Sequence, residues 1–152
     1  MEIRIDSLTH PAVIALLTEH HQDMLMHSPP ESVHTLDLSA LAQNNITFWT
    51  IWQKDELAGC GALKELNNAH GEIKSMRTSR NFLRQGVAKL LVEHMITQAH
   101  TLSYQKLSLE TGTMDAFLPA QKLYQQLGFT QCLPFADYQE DPYSTFMSKV
   151  LS

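Results

Sequence analysis

From Ile46 to Trp52 the chain reads Ile-Thr-Phe-Trp-Thr-Ile-Trp, a run of β-branched and aromatic residues that predicts a strand. Lys54-Asp55-Glu56 turns it into a second strand at about 57–66, and Asn67-Asn68-Ala69-His70-Gly71 turns that into a third at about 72–78. Three strands joined so closely make an antiparallel meander. Upstream, residues 2–6 alternate like a short edge strand. Thr9 and Pro11 then open a helix with Val13, Ile14, Leu17, Met24 and Leu25 at helical spacing. Pro29 and Pro30 break it, and Leu36, Leu38 and Leu41 suggest a second short helix.

Beyond Gly86 the apolar period becomes helical. Val87, Leu90, Leu91, His94, Met95, Gln98, Ala99 and Leu102 mark one face. A strand follows at about 106–111, then a helix at about 117–127 with Pro119 in its first turn and Gly128 as its stop. Phe129 begins another strand, and 144–150 closes the sheet. The order is β-α-α-β-β-β-α-β-α-β-β. The crossover through 86–102 makes strands 72–78 and 106–111 a parallel pair. The chain therefore reads as a single α/β (α+β) domain over residues 1–152, with a mixed, mostly antiparallel sheet.

Composition narrows the class. The chain is 43% apolar and 18% charged, as ordinary globular proteins are. No apolar run nears the roughly 20 residues that span a bilayer. The N-terminus lacks a cationic start and an apolar signal core, so a cytoplasmic protein without a membrane partner is expected. A net charge of −5 argues against nucleic-acid binding. Yet Lys74, Arg77, Arg80, Arg84 and Lys89 fall together, and residues 73–92 contain no acid, which favours an anionic ligand there. Cys60 and Cys132 form no CxxC pair, and Cys60 reads as a small buried thiol. The histidines show no metal-binding spacing; His20 and His21, adjacent on one helix, read as surface residues, and no metal is expected.

The chemistry concentrates in two segments. A glycine turn that opens a helix presents unpaired N–H groups and a partial positive charge, which attract phosphate. Leu83-Arg84-Gln85-Gly86-Val87-Ala88-Lys89 has that form, without a Walker or GxGxxG pattern. Spacing alone leaves open a glycine that merely accommodates the bend.

Arg84-Gln85-Gly86-Val87-Ala88 is similar to the end of the Q/R-x-x-G-x-G/A signature of the GNAT superfamily of acetyl-CoA-dependent N-acetyltransferases, with Leu83 where the signature opens. Ala120-x-x-Leu123-Tyr124-x-x-x-Gly128-Phe129 resembles the family's A-x-x-L-Y-x-x-x-G-F. Ser108-Leu109-Glu110-Thr111-Gly112 and the segment from Pro134 to Met147 resemble a group of small bacterial members of undefined substrate.

The resemblance implies helices on both faces of the sheet, acetyl-CoA as cosubstrate, and acetyl transfer to a small-molecule or peptide amine by direct attack. In that family two neighbouring strands diverge and the pantetheine arm inserts between them like an extra strand. Ser75, Met76 and Arg77 would bond the pantetheine and thioester through their backbone. Arg84, Gln85, Gly86, Val87, Ala88 and Lys89 would hold the pyrophosphate. Tyr124 would be the general acid.

The base stays open between Glu110, Glu72 and a water relay. Glu31, His34 and Tyr138 are the candidate acceptor-binding residues, from 27–34 and 137–141. The acids on both rims suggest a cationic amine, while an Arg77 side chain facing the cleft would suit a carboxylate-bearing one. Dimers are common among such proteins. The rival reading is a catalytically silent acyl-CoA-binding module.

Overall fold

The computed structural model describes residues 1–34 and 38–151. Its strands are β1 (Glu2–Ile5), β2 (Ile46–Gln53), β3 (Glu56–Asn67), β4 (His70–Thr78), β5 (Lys106–Gly112), β6 (Thr130–Gln131) and β7 (Ser144–Val150). They form a seven-stranded sheet in the order β1-β2-β3-β4-β5-β7-β6, antiparallel throughout except for the β4–β5 pair. The expected mixed sheet with its parallel pair is present. One detail differs: β7 does not close the sheet but lies between β5 and β6. Met147 on β7 is 2% exposed and needs cover from both sides, whereas the two exposed residues of β6 tolerate an edge.

The helices are α1 (Pro11–His27), α2 (Leu38–Leu41), α3 (Val87–Thr101) and α4 (Leu118–Gln126). Leu36, expected to share the second helix, lies outside the described residues. Two cores form on opposite faces of the sheet. On one, Leu91 and Met95 of α3 and Tyr124 of α4 pack with Ile51, Leu63, Ile73 and Leu109. On the other, Val13 and Leu16 of α1 and Leu41 of α2 pack with Phe48, Trp52, Cys60 and Ala62. Each valine, leucine, isoleucine, phenylalanine or methionine among them contributes about 1.5–3 kcal/mol by leaving water.

Both long helices present a slightly rotated face. Leu90 of α3 and Leu102 at its C-terminal cap are exposed, while Val87, Leu91, Val92, Met95 and Ala99 are buried. In α1, Leu25 is exposed and Ile14 borders on it, and the buried stripe is Val13, Leu16 and His20. The cap of α1 is His10, whose Nδ1 accepts the Ala12 N–H at 3.0 Å, rather than Thr9, whose hydroxyl bonds Ser7.

His20 is therefore a buried residue, not a surface one. Burial first, and then the nearby Arg77 cation, lower its pKa from 6.5 to about 4. Between those values the unfolded chain binds a proton that the folded chain does not. Stability should fall as pH drops through that window, by up to about 3 kcal/mol. A His20→Leu variant should move the midpoint of acid unfolding, followed by circular dichroism, to lower pH; an unmoved midpoint would exclude His20 as its source.

The sheet opens at one place. β4 and β5 pair only from His70↔Lys106 to Ile73↔Leu109, although β4 runs on to Thr78 and β5 to Gly112. Their far halves diverge. In the diverging half of β4 the register with β3 slips: Cys60 faces Arg77 but Ala62 faces Lys74, so an extra residue is accommodated at Ser75–Met76. Ser75 has φ +56°, which marks a bulge.

Candidate active site

A cavity of about 740 Å³ occupies the opening between β4 and β5. Its walls are the second half of α1, the bulged end of β4, the turn before α3, the end of β5, and α4.

At one end lies the glycine turn. Gly86 has φ +80°, the left-handed region where a side chain strains the backbone, and Arg84 has φ +62°. The first helical hydrogen bond of α3 runs from Leu90 N–H to Gly86 C=O at 3.0 Å. That leaves the N–H groups of Val87, Ala88 and Lys89 without an intrahelical partner, and Gly86 has no side chain to cap them. A Cβ at Gly86 would meet nothing within 4 Å, so the space beside those donors is open. Gln85 turns away, its Nε2 donating to Asn81 C=O at 3.3 Å.

The five clustered cations divide between two tasks. Arg77 pairs with Glu19 at 2.5 Å and with Asp23, both on α1. Lys74 pairs with Glu72 at 3.1 Å. Arg80, largely exposed, reaches Glu19 at 3.3 Å. Arg84 and Lys89, flanking Gly86, have no carboxylate partner among the described residues. The surplus positive charge thus sits at the turn, and the Arg77 side chain is committed to α1.

Along the middle of the cavity runs the bulge. The Cys60 thiol donates to Ser75 C=O at 3.5 Å and helps fix its orientation. Burial pushes that thiol up to about 12, so Cys60 stays protonated and serves as a donor rather than a nucleophile. Among the described residues, 75–78 have β3 on one side and no strand on the other, the arrangement that lets an extended ligand bond to a sheet edge.

Tyr124 stands on the opposite wall. The chain leaves α4 through a Schellman turn: Gly128 N–H bonds Gln125 C=O at 3.0 Å and Phe129 N–H bonds Tyr124 C=O at 2.9 Å, with Gly128 at φ +96°. The Phe129 ring meets Tyr124 edge-on at 5.7 Å. The Gly-Phe pair therefore holds Tyr124 by both backbone and ring. Burial keeps the Tyr124 phenol well above its usual range, and among the described residues its hydroxyl has no hydrogen-bond partner. A neutral phenol with an uncommitted O–H can donate a proton.

The far end carries the carboxylates. Leu107 and Leu109 point to the α3 core, so Ser108 and Glu110 point to the α1 side, and Glu110 lines the cavity. Burial raises the Glu110 pKa above its ordinary value, opposed by a 2.8 Å hydrogen bond from Ser144 Oγ. Glu72 is 2% exposed, and its Oε2 accepts from Tyr138 O–H at 2.5 Å and from Lys74 at 3.1 Å. Lys74 also donates to the Tyr138 oxygen at 2.7 Å.

Glu72, Lys74, Tyr138 and His34 separate the main cavity from a second one of about 380 Å³, which Glu31, Asp137, Glu140 and Asp141 border. Of the expected acceptor residues, His34 and Tyr138 line both cavities and pack edge-on at 5.0 Å, while Glu31 lines only the smaller one. His20 and Asp23 also line the main cavity, and Glu19 joins Asp23 on the Arg77 guanidinium, although none of the three is a candidate site residue in the sequence. The spacing 13, 16, 20 and 23 along α1 was the available signal.

Residues 12–129 match the model of the Acetyltransferase (GNAT) family. The chain belongs to that family. It is 57% identical to the uncharacterized N-acetyltransferase YsnE of Bacillus subtilis (strain 168), over 99% of this chain and 100% of that protein. It is 50% identical to the uncharacterized N-acetyltransferase YedL of Escherichia coli (strain K12), over 98% and 94% respectively. A crystal structure from Klebsiella pneumoniae, assigned to the acyl-CoA N-acyltransferases, superposes with a TM-score of 0.81 at 28% identity, covering 99% of this chain and 97% of that one. The protein is accordingly a GNAT N-acetyltransferase, an enzyme that takes acetyl from acetyl-CoA.

Proposed function

We propose that this GNAT enzyme acetylates a primary amine by direct attack in a ternary complex, using Glu110 as base and Tyr124 as acid. What carries the reading is one continuous cavity that runs from the Gly86 turn, past the Ser75 bulge and the Tyr124 hydroxyl, to Glu110. The free N–H groups of Val87, Ala88 and Lys89, with Arg84 and Lys89 beside them, suit a pyrophosphate. The unpaired edge at Ser75, Met76 and Arg77 suits the amide-bearing pantetheine arm. Backbone N–H groups on that edge would stabilise the charge that the thioester oxygen gains.

Glu110 takes one proton from the ammonium and frees the nitrogen lone pair, the nitrogen–carbon bond forms as the carbon–sulfur bond breaks, Tyr124 gives its proton to the departing sulfur, and the second proton lost by the nitrogen reprotonates Tyr124. Glu72 is less suited to be the base, because Lys74 is ion-paired with its Oε2 and Tyr138 donates to the same oxygen. The acids of the smaller cavity, Glu31, Asp137, Glu140 and Asp141, support an acceptor that arrives as an ammonium. Arg77 offers no free cation for a carboxylate. The two free thiols suit a reducing cytoplasm.

The deciding experiment is thiol release from acetyl-CoA across a panel of primary amines. Amine-dependent release is the expected result, and saturable binding without turnover would support a silent acyl-CoA-binding module instead. A companion test addresses the turn. Valine at Gly86 adds about 1–2 kcal/mol of left-handed strain and a branched side chain beside the free N–H groups. Gly86→Val should weaken coenzyme A binding, measured by calorimetry, at least tenfold while lowering the melting temperature by only a few degrees. Unchanged affinity would remove the turn from the pyrophosphate site.

A further inference from the structure

Glu110 is held from a distance. Its Oε2 accepts from Ser144 Oγ at 2.8 Å, and among the described residues this is its one hydrogen bond, leaving Oε1 free. Ser144 is 9% exposed, and its own N–H bonds Asp141 C=O at 3.0 Å. The Asp141 carboxylate closes the turn by accepting Tyr143 N–H at Oδ1, 2.8 Å, and takes Ser32 Oγ at Oδ2, 2.6 Å. Ser32 belongs to the 3-10 turn Pro30–Ser32 just after α1, which is 109 residues away in sequence and borders the acceptor end of the cavity. The turn is also tied to the end of β5: Thr113 Oγ1 donates to Pro142 C=O at 2.8 Å.

We propose that Ser144 and Asp141 are positioning residues for Glu110, and that the Ser32–Asp141 bond makes the base's orientation depend on the docked acceptor-side segment. This rests on the reading of Glu110 as the base. The reason is steric as well as electrical. A carboxylate on a strand end, held through a single oxygen, keeps the other oxygen aimed at the incoming amine only while that hold lasts. The hold also favours the ionised form, because a donor to a buried carboxylate stabilises its charge. Other groups act on the same carboxyl: His34 from the segment after α1, Glu72 and Lys74 on β4, and Tyr138 ahead of β7. None of these is altered by a substitution at Ser144.

The test is the pH dependence of kcat/KM, with one amine and saturating acetyl-CoA, for the wild type, Ser144→Ala, Ser144→Thr and Asp141→Ala. Ser144→Ala should move the acid limb to higher pH by about one unit. It should lower kcat/KM about tenfold below the limb, with the KM for acetyl-CoA unchanged. Threonine, which keeps the hydroxyl, should restore the limb. Asp141→Ala should move it in the same direction and raise the KM of the amine. That variant leaves Ser144 and Glu110 themselves unchanged, and its limb is read apart from its amine KM, so it carries the test if Ser144→Ala does not fold.

An unmoved limb in a folded Ser144→Ala or Asp141→Ala protein would overturn the proposal. Glu110→Gln separates the two ideas. Wild-type turnover in Glu110→Gln would overturn the base assignment and the positioning together. A dead Glu110→Gln beside unmoved Ser144 and Asp141 variants would overturn the positioning alone.

Discussion

Replacing Glu110 with glutamine is expected to lower kcat for amine acetylation by about 10²–10⁴-fold, the usual contribution of a positioned base. The same substitution should raise the melting temperature at alkaline pH. Burial raises the Glu110 pKa above its ordinary 4.5, so the folded protein binds that proton more tightly than the unfolded chain does. Stability contributed by this group is complete below 4.5 and is lost as pH rises through the elevated folded value. Glutamine has the same shape and accepts the Ser144 hydroxyl, but carries no charge to desolvate. The stability gain should therefore be larger at pH 8 than at pH 4.5, read as the difference in melting temperature between variant and wild type. Loss of activity with no pH-dependent gain would mean that Glu110 ionises freely in the folded protein. Retained activity would return the base to Glu72 or a water.

Tyr124→Phe should keep acetyl-CoA affinity and lower turnover at least tenfold, within the range of a general acid. The variant is well suited to the question because the hydroxyl has no hydrogen-bond partner among the described residues, so its removal leaves no orphaned group. The edge-on contact with Phe129 and the Schellman bonds around Gly128 survive the change. Affinity is measured by calorimetry and turnover by thiol release with the best amine. Equal turnover in the two proteins would leave Tyr124 as a wall residue only.

These two residues differ in how far the chain announces them. Tyr124 lies within one helix whose stop, Gly128, and anchor, Phe129, follow within five positions, so its setting is written locally. Glu110 sits on a strand, and alternation relates it only to Ser108. Its cavity-facing direction follows from Leu107 and Leu109 joining the α3 core, and its partner, Ser144, comes from a strand 34 residues away. Arg77 is similar. A basic cluster is visible in the sequence, but its division into internally paired cations and a free pair at the turn depends on where α1 lays Glu19 and Asp23.

His20 shows the opposite failure. Its position on the buried stripe follows from simple periodicity with Val13 and Leu16, but its polar type points to the surface. Helix contacts with the sheet decided the matter, since α1 packs on β3 and β4 and turns that stripe inward.

By itself, then, the sequence determined the order of elements, the parallel crossover, the glycine turn opening a helix and the tyrosine helix with its glycine stop. Each depends on interactions within a few residues: hydrophobic period, proline and glycine backbone limits, and the cap. Tertiary structure alone decided that β7 lies inside β6, that β4 bulges at Ser75 and parts from β5 after Ile73, and that Arg77 serves α1 while Glu110 serves the cavity. Those depend on register and charge pairing between segments far apart in the chain, which become defined only when both faces of the sheet are covered.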